Sequence, residues 1–501
     1  MVERRTFLAA ALALALAPGA LGVDAWRTVS REWFTLSLAG EPCGSSVTTV
    51  EESADGDGRI RTSSEVKMRL GRGTAMVTVA VASEFVETAR GEPVSAEVRQ
   101  EFGGGPAVPV RYAFGPDGVS VREGERTRVE PRPDAAALPP AAAARFVKAR
   151  LEAGAGEISF RSIDVESGLR VASIRLGRIA DATRTVKGRL IPVREFSVTS
   201  DLLEVPGREA YASDGVLVES VIRLGIGELR STLADEAEAR AALRNARAEV
   251  LVRSFVPAAE PIRDARGRER LALVVTAKEG GPLPDLPSIG AQRAERTGPG
   301  AFAVEIEAGR GSPAAPGEAA DPAFLAATSL IDHDAPEVRE LRARALPEPG
   351  LDPRERAERL RRAVARALGR KDLASAFASA SSAIRSGGGD CSEHAVALAA
   401  LLRADGIPAR IVGGLIYADS FAGEREVWGW HVWTQALLPD GNAGSAWFDL
   451  DATLPGPRAF DAAHLATVVG PLSGGAIDPM WTETLALLGN LEIRTAGIPS
   501  R

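Results

Sequence analysis

Cysteine is scarce in this chain of 501 residues: there are two, Cys43 and Cys391. Two are too few for a disulfide-framed scaffold or a structural zinc site of the usual four-ligand kind. They also lie far apart, in segments of different pattern, so no disulfide between them is expected. Excess positive charge is missing as well. Lys and Arg number 60 against 67 Asp and Glu, a net charge of -7 with a pI near 5.5. A surface built to neutralise phosphates would be basic, so nucleic acid is not an expected partner. Beyond the N-terminus no apolar run reaches the ~18 residues of a membrane span. There is no Asp-x-Asp-x-Asp-Gly calcium loop and no internal repeat, and no cofactor or metal is expected.

What is present is the composition of an ordinary globular protein, 45% hydrophobic and 25% charged. The chain is too long for one core, so two or three domains are expected. Residues 1–22 read as a signal peptide: Arg4-Arg5, an apolar run from Phe7 to Ala17, the break at Pro18-Gly19, then Ala20-Leu21-Gly22. Arg4-Arg5-Thr6-Phe7-Leu8 is also similar to a twin-arginine signal. No cysteine follows the run, so a cleaved signal rather than a lipid anchor is expected, with the protein periplasmic or secreted.

From 23 to 250 the dominant period is two. Alternating runs such as Glu32–Leu38, Arg59–Leu70, Ala75–Val81 and Val108–Phe114 are separated by Asp-Gly turns, a hairpin signal. A helical piece, Ala141–Leu151, follows Pro139-Pro140. The pattern predicts a large antiparallel sheet. A short helix over Leu233–Arg247 leads into a small β-patterned middle segment, 251–310, and then a Gly-, Pro-, Ala- and Ser-rich linker, 311–330. From 331 to 470 the pattern is α+β, followed by a tail, 471–501. Within this part, Asp352-Pro353-Arg354-Glu355 starts a helix in which Leu360, Val364 and Leu368 form one apolar stripe. Its arginines read as a solvated face.

The chemistry lies between Gly387 and Thr453. Asp390 can cap a helix and Glu393 complete a capping box, which puts Cys391 in the first turn. There, unpaired N–H groups and the helix dipole favour thiolate, and the same N–H groups suit an oxyanion. A buried strand from Pro408 to Tyr417 follows, then a second bearing Trp428-Gly429-Trp430-His431-Val432-Trp433, then a third bearing Asp449-Leu450-Asp451. A cysteine helix beside strands carrying a histidine and an acid is what a Cys–His pair with an orienting carboxylate requires. Asp449 and Asp451 share a face, so alternation alone does not choose between them. His394 lies beside Cys391 on the helix and is assigned a supporting role, since a base on the same turn is poorly aimed at the thiol. Trp433 and Trp447 read as core. Trp428 and Trp430, at the loop edge, read as core or as the wall of an acyl-donor cleft.

Gly389-Asp390-Cys391-Ser392-Glu393-His394-Ala395, Gly406-Ile407-Pro408-Ala409-Arg410, Trp430-His431-Val432-Trp433 and Asp451-Ala452-Thr453 resemble the transglutaminase-like superfamily in order and spacing, over about 330–470. The resemblance implies a papain-like α+β thiol-enzyme domain in an exported bacterial protein, with Cys391 as nucleophile, His431 as base and Asp451, rather than Asp449, as the orienting acid. It implies acyl transfer or hydrolysis at amide bonds of proteins or peptides. The β-rich region, through Glu87–Pro93, also resembles the curved, lipoprotein-carrier type of sheet found in such proteins. Two other readings compete. One is a non-catalytic envelope binding protein that works through the β-rich region and uses the C-terminal domain as scaffold. The other is a metal site of Cys391, His394, His431 and Asp451.

Overall fold

The computed structural model describes residues 26–497 apart from 104–106, 125, 203–204, 279, 372, 374–377, 442–443, 473–483 and 485. The expected signal segment lies outside the described residues. Among those described, no helix is long and apolar enough to cross a membrane.

Strands of the N-terminal half form a 15-stranded sheet made of two meanders that share a seam. The first strand, Trp26–Leu38, pairs with Glu41–Ser53 on one side and with the last, Gly227–Ala234, on the other. Successive hairpins carry the chain outward to Arg126–Glu130. Helix α1 (Pro140–Glu152) then bridges to Glu157–Asp164, from which hairpins step back to the seam. The two arms curl together: Val98, Val110, Tyr112 and Val121 share a core with Ile163 and Val165. α1 has no side-chain cap of its own. Buried Glu87 supplies one from the opposite arm, accepting from the Ala141 and Ala142 N–H groups at 2.9 Å. A carboxylate there satisfies orphan donors and complements the helix dipole. Helix α2 (Glu236–Arg244) then packs back on the seam strands.

The C-terminal half has three layers. Its middle layer is a six-stranded sheet in which Glu424–Asp440 lies between Ala409–Phe421 and Gly444–Leu450, with His464–Gly470 beyond Ala409–Phe421. On one face sit α3 (Pro336–Ala345), α4 (Pro353–Ala367), α5 (Ala380–Ser386) and α6 (Cys391–Ala404). Leu360, Val364 and Leu368 are buried there together with Val396, Leu398 and Leu402, as the four-residue spacing predicts. The opposite face is covered by a four-stranded sheet of Gln292–Gly298, Ala301–Glu307, Arg270–Ala277 and Leu491–Ala496. Leu273, Val275, Phe302 and Ile493 share its core with Trp428, Trp433 and Leu465. The glycine pair in the Ala409–Phe421 strand has a steric reason. A Cβ at Gly414, opposite His431, would fall 2.1 Å from the Leu465 carbonyl oxygen.

Three segments differ from the sequence reading. The middle segment 251–310 is the outer layer of the C-terminal unit, and the tail beyond 471 contributes its fourth strand. Both are needed because the central sheet is apolar on each face, so each face requires a cover. The expected linker pairs Ser312–Pro313 with Ala446 and Trp447, and packs Phe324 on Trp447. Arg361 departs from the solvated face of α4. It is fully buried, and its guanidinium donates to the carbonyls of Leu454 at 2.6 Å and Gly456 at 2.9 Å and, at 3.3 Å, to that of Asp451. Hydrogen bonds from a charged group are worth ~1.5–3 kcal/mol each, and orphaned carbonyls add to the loss. Arg361→Ala is therefore expected to lower stability by at least ~3 kcal/mol in urea titration. A loss within ~0.5 kcal/mol, the usual range for a surface site, would show that the 451–456 segment is held by other contacts.

Candidate active site

Asp390 caps α6. Its carboxylate accepts from the Ser392 N–H at 2.8 Å and Oγ at 2.6 Å, and from the Glu393 N–H. Glu393 answers by accepting from the Asp390 N–H at 2.8 Å and the Ala378 N–H at 2.9 Å. The helix thus begins at Cys391, as its sequence predicts. Cys391 is half-buried, and the backbone N–H of Val432, the residue after His431, lies near enough to favour the ionised form of its thiol. Its acidity differs from the expectation of a thiolate. Burial, and then the Asp390 carboxylate, push the thiol pKa up, against the opposing influence of Arg72 and the Val432 N–H. The first turn is also less open to an oxyanion than expected, because Asp390 already occupies the Ser392 and Glu393 N–H groups and its carbonyl takes that of His394.

On the central strand, His431 Nε2 bonds Asp451 Oδ2 at 2.9 Å, with both side chains buried. Among the described residues, no hydrogen bond occupies the ring's Nδ1. Asp451 lies just past the end of its strand, and its other oxygen accepts from the Thr453 N–H and Oγ, each at 2.7 Å. A group that the sequence reading missed completes the arrangement. His464 Nε2 lies 3.2 Å from the same Asp451 Oδ2, while its Nδ1 lies 3.1 Å from Asp461 Oδ1. Arg266 Nη1 lies 2.9 Å from the second Asp461 oxygen. Burial alone would keep His464 neutral, but hydrogen bonds to Asp451 and Asp461 outweigh it and raise its pKa to about 9. Burial likewise opposes the charge on Asp451, but the two histidines hold its carboxyl well below the usual range. The missed signal was a lone histidine opening the apolar run Leu465-Ala466-Thr467-Val468-Val469, since a buried imidazole there needs polar partners.

The remaining predicted residues divide. His394 donates from Nδ1 to the Asp390 carbonyl at 2.6 Å, and burial lowers its pKa, so it is a neutral support for the helix start. Asp449 and Asp451 are separated by strand register. Asp449 lies opposite Gln435 and accepts from Gln435, Trp433 Nε1 and the Ala291 N–H. Burial raises its pKa, and it ties the two sheets together away from the thiol. Trp428 is fully buried against Tyr417, a core position rather than a cleft wall. Trp430 is only partly buried, and its Nε1 donates to the Ser254 carbonyl at 3.0 Å. Of the four proposed metal ligands, His431 and Asp451 meet His464 instead, with ligand-type atoms within 4.8 Å of one another. Hydrogen bonds account for the two contacts with Asp451, and the two imidazole rings meet with centroids 5.6 Å apart.

A cysteine at a helix start and a strand histidine bonded to a buried carboxylate are the residue types that a nucleophilic-cysteine site requires. Residues 342–452, which contain all three, match the transglutaminase-like superfamily, and the chain carries a domain of that superfamily. No curated protein matches the chain in sequence. A β-barrel-like protein of a domain of unknown function from Brucella abortus is similar at 12% identity and a TM-score of 0.32, over 40% of this chain and 94% of that one. A candidate cysteine protease from Cytophaga hutchinsonii is similar at 15% identity and a TM-score of 0.27, over 46% and 88%. Neither likeness is close enough to carry an argument.

The raised pKa of His464 has a consequence for stability. A histidine with a folded pKa of about 9 and an ordinary value of 6.5 stabilises the fold fully below pH 6.5, and that contribution is lost as pH rises to about 9. The thermal midpoint is expected to fall across that window, and His464→Phe to start lower and flatten the fall. An unchanged slope in the variant would rule out His464 as its source.

Proposed function

We propose that the chain is a thiol enzyme acting on amide bonds of proteins or peptides, with Cys391 as nucleophile, His431 as general base and acid, and Asp451 as the carboxylate that orients the imidazole. The observation that carries this is the buried His431–Asp451 hydrogen bond, on the strand whose Val432 N–H favours ionisation of the Cys391 thiol at the start of α6. Because Asp451 occupies Nε2, the Nδ1 of His431 is the nitrogen left for the thiol.

A thiol kept neutral by burial favours concerted activation over a standing thiolate. As sulfur attacks the amide carbonyl, its proton passes to His431 Nδ1, and Asp451 stabilises the imidazolium. The tetrahedral intermediate then collapses. His431 returns the proton to the leaving nitrogen, the C–N bond breaks and a thioester remains on Cys391. Water or an amine next attacks the thioester while His431 takes up its proton, giving hydrolysis or crosslinking. Expulsion of the thiol, reprotonated by His431, closes the cycle. An N-terminal export signal fits a substrate in the envelope or outside the cell.

The test is to incubate the protein with glutamine-containing peptides and a fluorescent primary amine, following amine incorporation, ammonia release and cleavage, with mass spectrometry of Cys391. A Cys391-linked acyl-enzyme is expected. Cys391→Ala should abolish turnover, and His431→Ala or Asp451→Asn should lower it by ~10²–10⁴-fold, the usual worth of general acid–base catalysis. Turnover that survives Cys391→Ala would defeat the reading. So would the absence both of turnover and of any His431-dependent reactivity of Cys391 towards iodoacetamide.

A further inference from the structure

Among the described residues, one hairpin of the β-rich half reaches the site. Strands Arg59–Arg72 and Ala75–Thr88 meet at a tight turn, and at its start Arg72 Nη2 lies 2.7 Å from Asp390 Oδ2, the cap of the cysteine helix. The hairpin end is fixed from behind. Gly71 donates to the Ala248 carbonyl at 2.8 Å and accepts from the Val250 N–H at 2.9 Å. The same segment runs on to the histidine strand, where Val256 and Pro257 pair with Trp428 and Val427 and the Ser254 carbonyl accepts from Trp430. A rigid β-turn, braced by a segment that is itself part of the active-site sheet, thus brings a cation to the residue next to Cys391.

The location matters because the pair is sheltered. The Asp390 side chain is only 6% exposed and that of Arg72 20%. Exposed ion pairs contribute little, but a buried carboxylate that loses its partner keeps an unscreened charge. Among the described residues, the charged groups that act on the thiol are Asp390 and Glu393 on its own helix and Arg72 from the hairpin, while His394 with Lys371 near it and the His431–Asp451 pair lie on the neighbouring elements. Burial and Asp390 raise the Glu393 carboxyl to about 7, so Asp390 carries the standing negative charge beside the thiol, and Arg72 is the cation paired with it. Burial raises the Asp390 carboxyl, but Arg72, with Ser392 and Glu393, holds it below its ordinary value, so Asp390 is charged at neutral pH.

We propose that the β-rich domain is part of the catalytic unit, with Arg72 as a positioning residue that offsets the Asp390 charge and so keeps the Cys391 thiol ionisable. This rests on Cys391 being the nucleophile. It assigns the sheet domain a chemical task in the site, beyond any ligand it binds, and makes thiol reactivity depend on how the hairpin docks.

The experiment is a double-mutant cycle on the full chain, with the iodoacetamide alkylation rate of Cys391 followed by peptide mass spectrometry from pH 6 to 10. Buried Cys43, its thiol pushed up to about 11 by burial, is the internal reference. Arg72→Ala should slow Cys391 about tenfold at pH 8, the change in thiolate fraction for one pKa unit. Arg72→Lys, which keeps the charge, should retain most of the rate. Asp390→Asn, still a good cap, should speed it, and the double variant Arg72→Ala/Asp390→Asn should return to within about threefold of the parent, since the two charges act on one ionisation. Should Arg72→Ala fail to fold, Arg72→Gln, which keeps a hydrogen bond but not the charge, carries the same expectation. An unchanged rate in the Arg72 variants overturns the proposal. So does a double variant as slow as Arg72→Ala, since lost docking rather than lost charge would then be the cause. His431→Ala run in parallel separates the two readings. Loss of all His431 dependence defeats the thiol-enzyme reading, whereas a flat response across the Arg72 and Asp390 variants defeats only this one.

Discussion

A carboxylate held almost entirely out of water governs the C-terminal half. Ionised Asp451 needs donors on both oxygens, because burying an unpaired charge costs several kcal/mol. It finds them on separate passages of chain: His431 from the central strand, His464 from the strand beyond Ala409–Phe421, and Thr453 from its own turn. Arg361 fixes the same turn from α4 by holding its carbonyls. Three layers are the means of bringing those passages together. The helices carry the cysteine and Arg361, the central sheet carries both histidines, and Arg266, just ahead of the outer sheet's Arg270–Ala277 strand, steadies Asp461 behind His464.

The acidity of Cys391 shows which of two opposing effects wins. A helix N-terminus is worth ~0.3–1 kcal/mol to a nearby anion, less than one pKa unit. Desolvation of a fully buried group is worth up to ~3–5 units. At α6 the smaller effect is reduced further, because Asp390 already receives the first-turn N–H groups and adds its own negative charge beside the sulfur. A capping box that starts the helix at the cysteine therefore also makes the thiol harder to ionise. Arg72 and the Val432 N–H oppose it.

Local pattern was legible where a short stretch of chain determines its own structure. The Asp390 and Glu393 capping box, the Leu360–Val364–Leu368 stripe and the alternating run Arg59–Leu70 recur at or within a few residues of their expected bounds, while the run from Ala75 starts as expected but continues to Thr88 rather than Val81. Much of the candidate site was legible too, since His431 and Asp451 meet as their motifs imply. What was not legible depends on contacts between distant segments. Period two gives a strand its faces but not its neighbour, so the pairing of Trp26–Leu38 with Gly227–Ala234 and of Leu491–Ala496 with Arg270–Ala277 had no local sign. A Gly- and Pro-rich stretch reads as a linker until an exposed sheet edge is available for it to pair with. Arg361 belongs to an arginine-rich helix face by composition, and only the carbonyls of a turn some ninety residues on give it a reason to be buried.

Charge compensation brings these points together. In the superfamily-matched stretch, 342–452, Asp390 beside Cys391 and Asp451 beside His431 are buried carboxyls held below their ordinary range. In each case a compensating cation comes from outside that stretch. Arg72 arrives from the β-rich half, and His464, held protonated by Asp461, from the strand that follows. Taken alone, the matched stretch would leave both carboxylates short of partners in a low-dielectric interior, where an uncompensated charge is most costly. Under the proposed reading, the flanking sequence supplies part of the electrostatics of the site, and the functional unit extends beyond the segment that carries the motif.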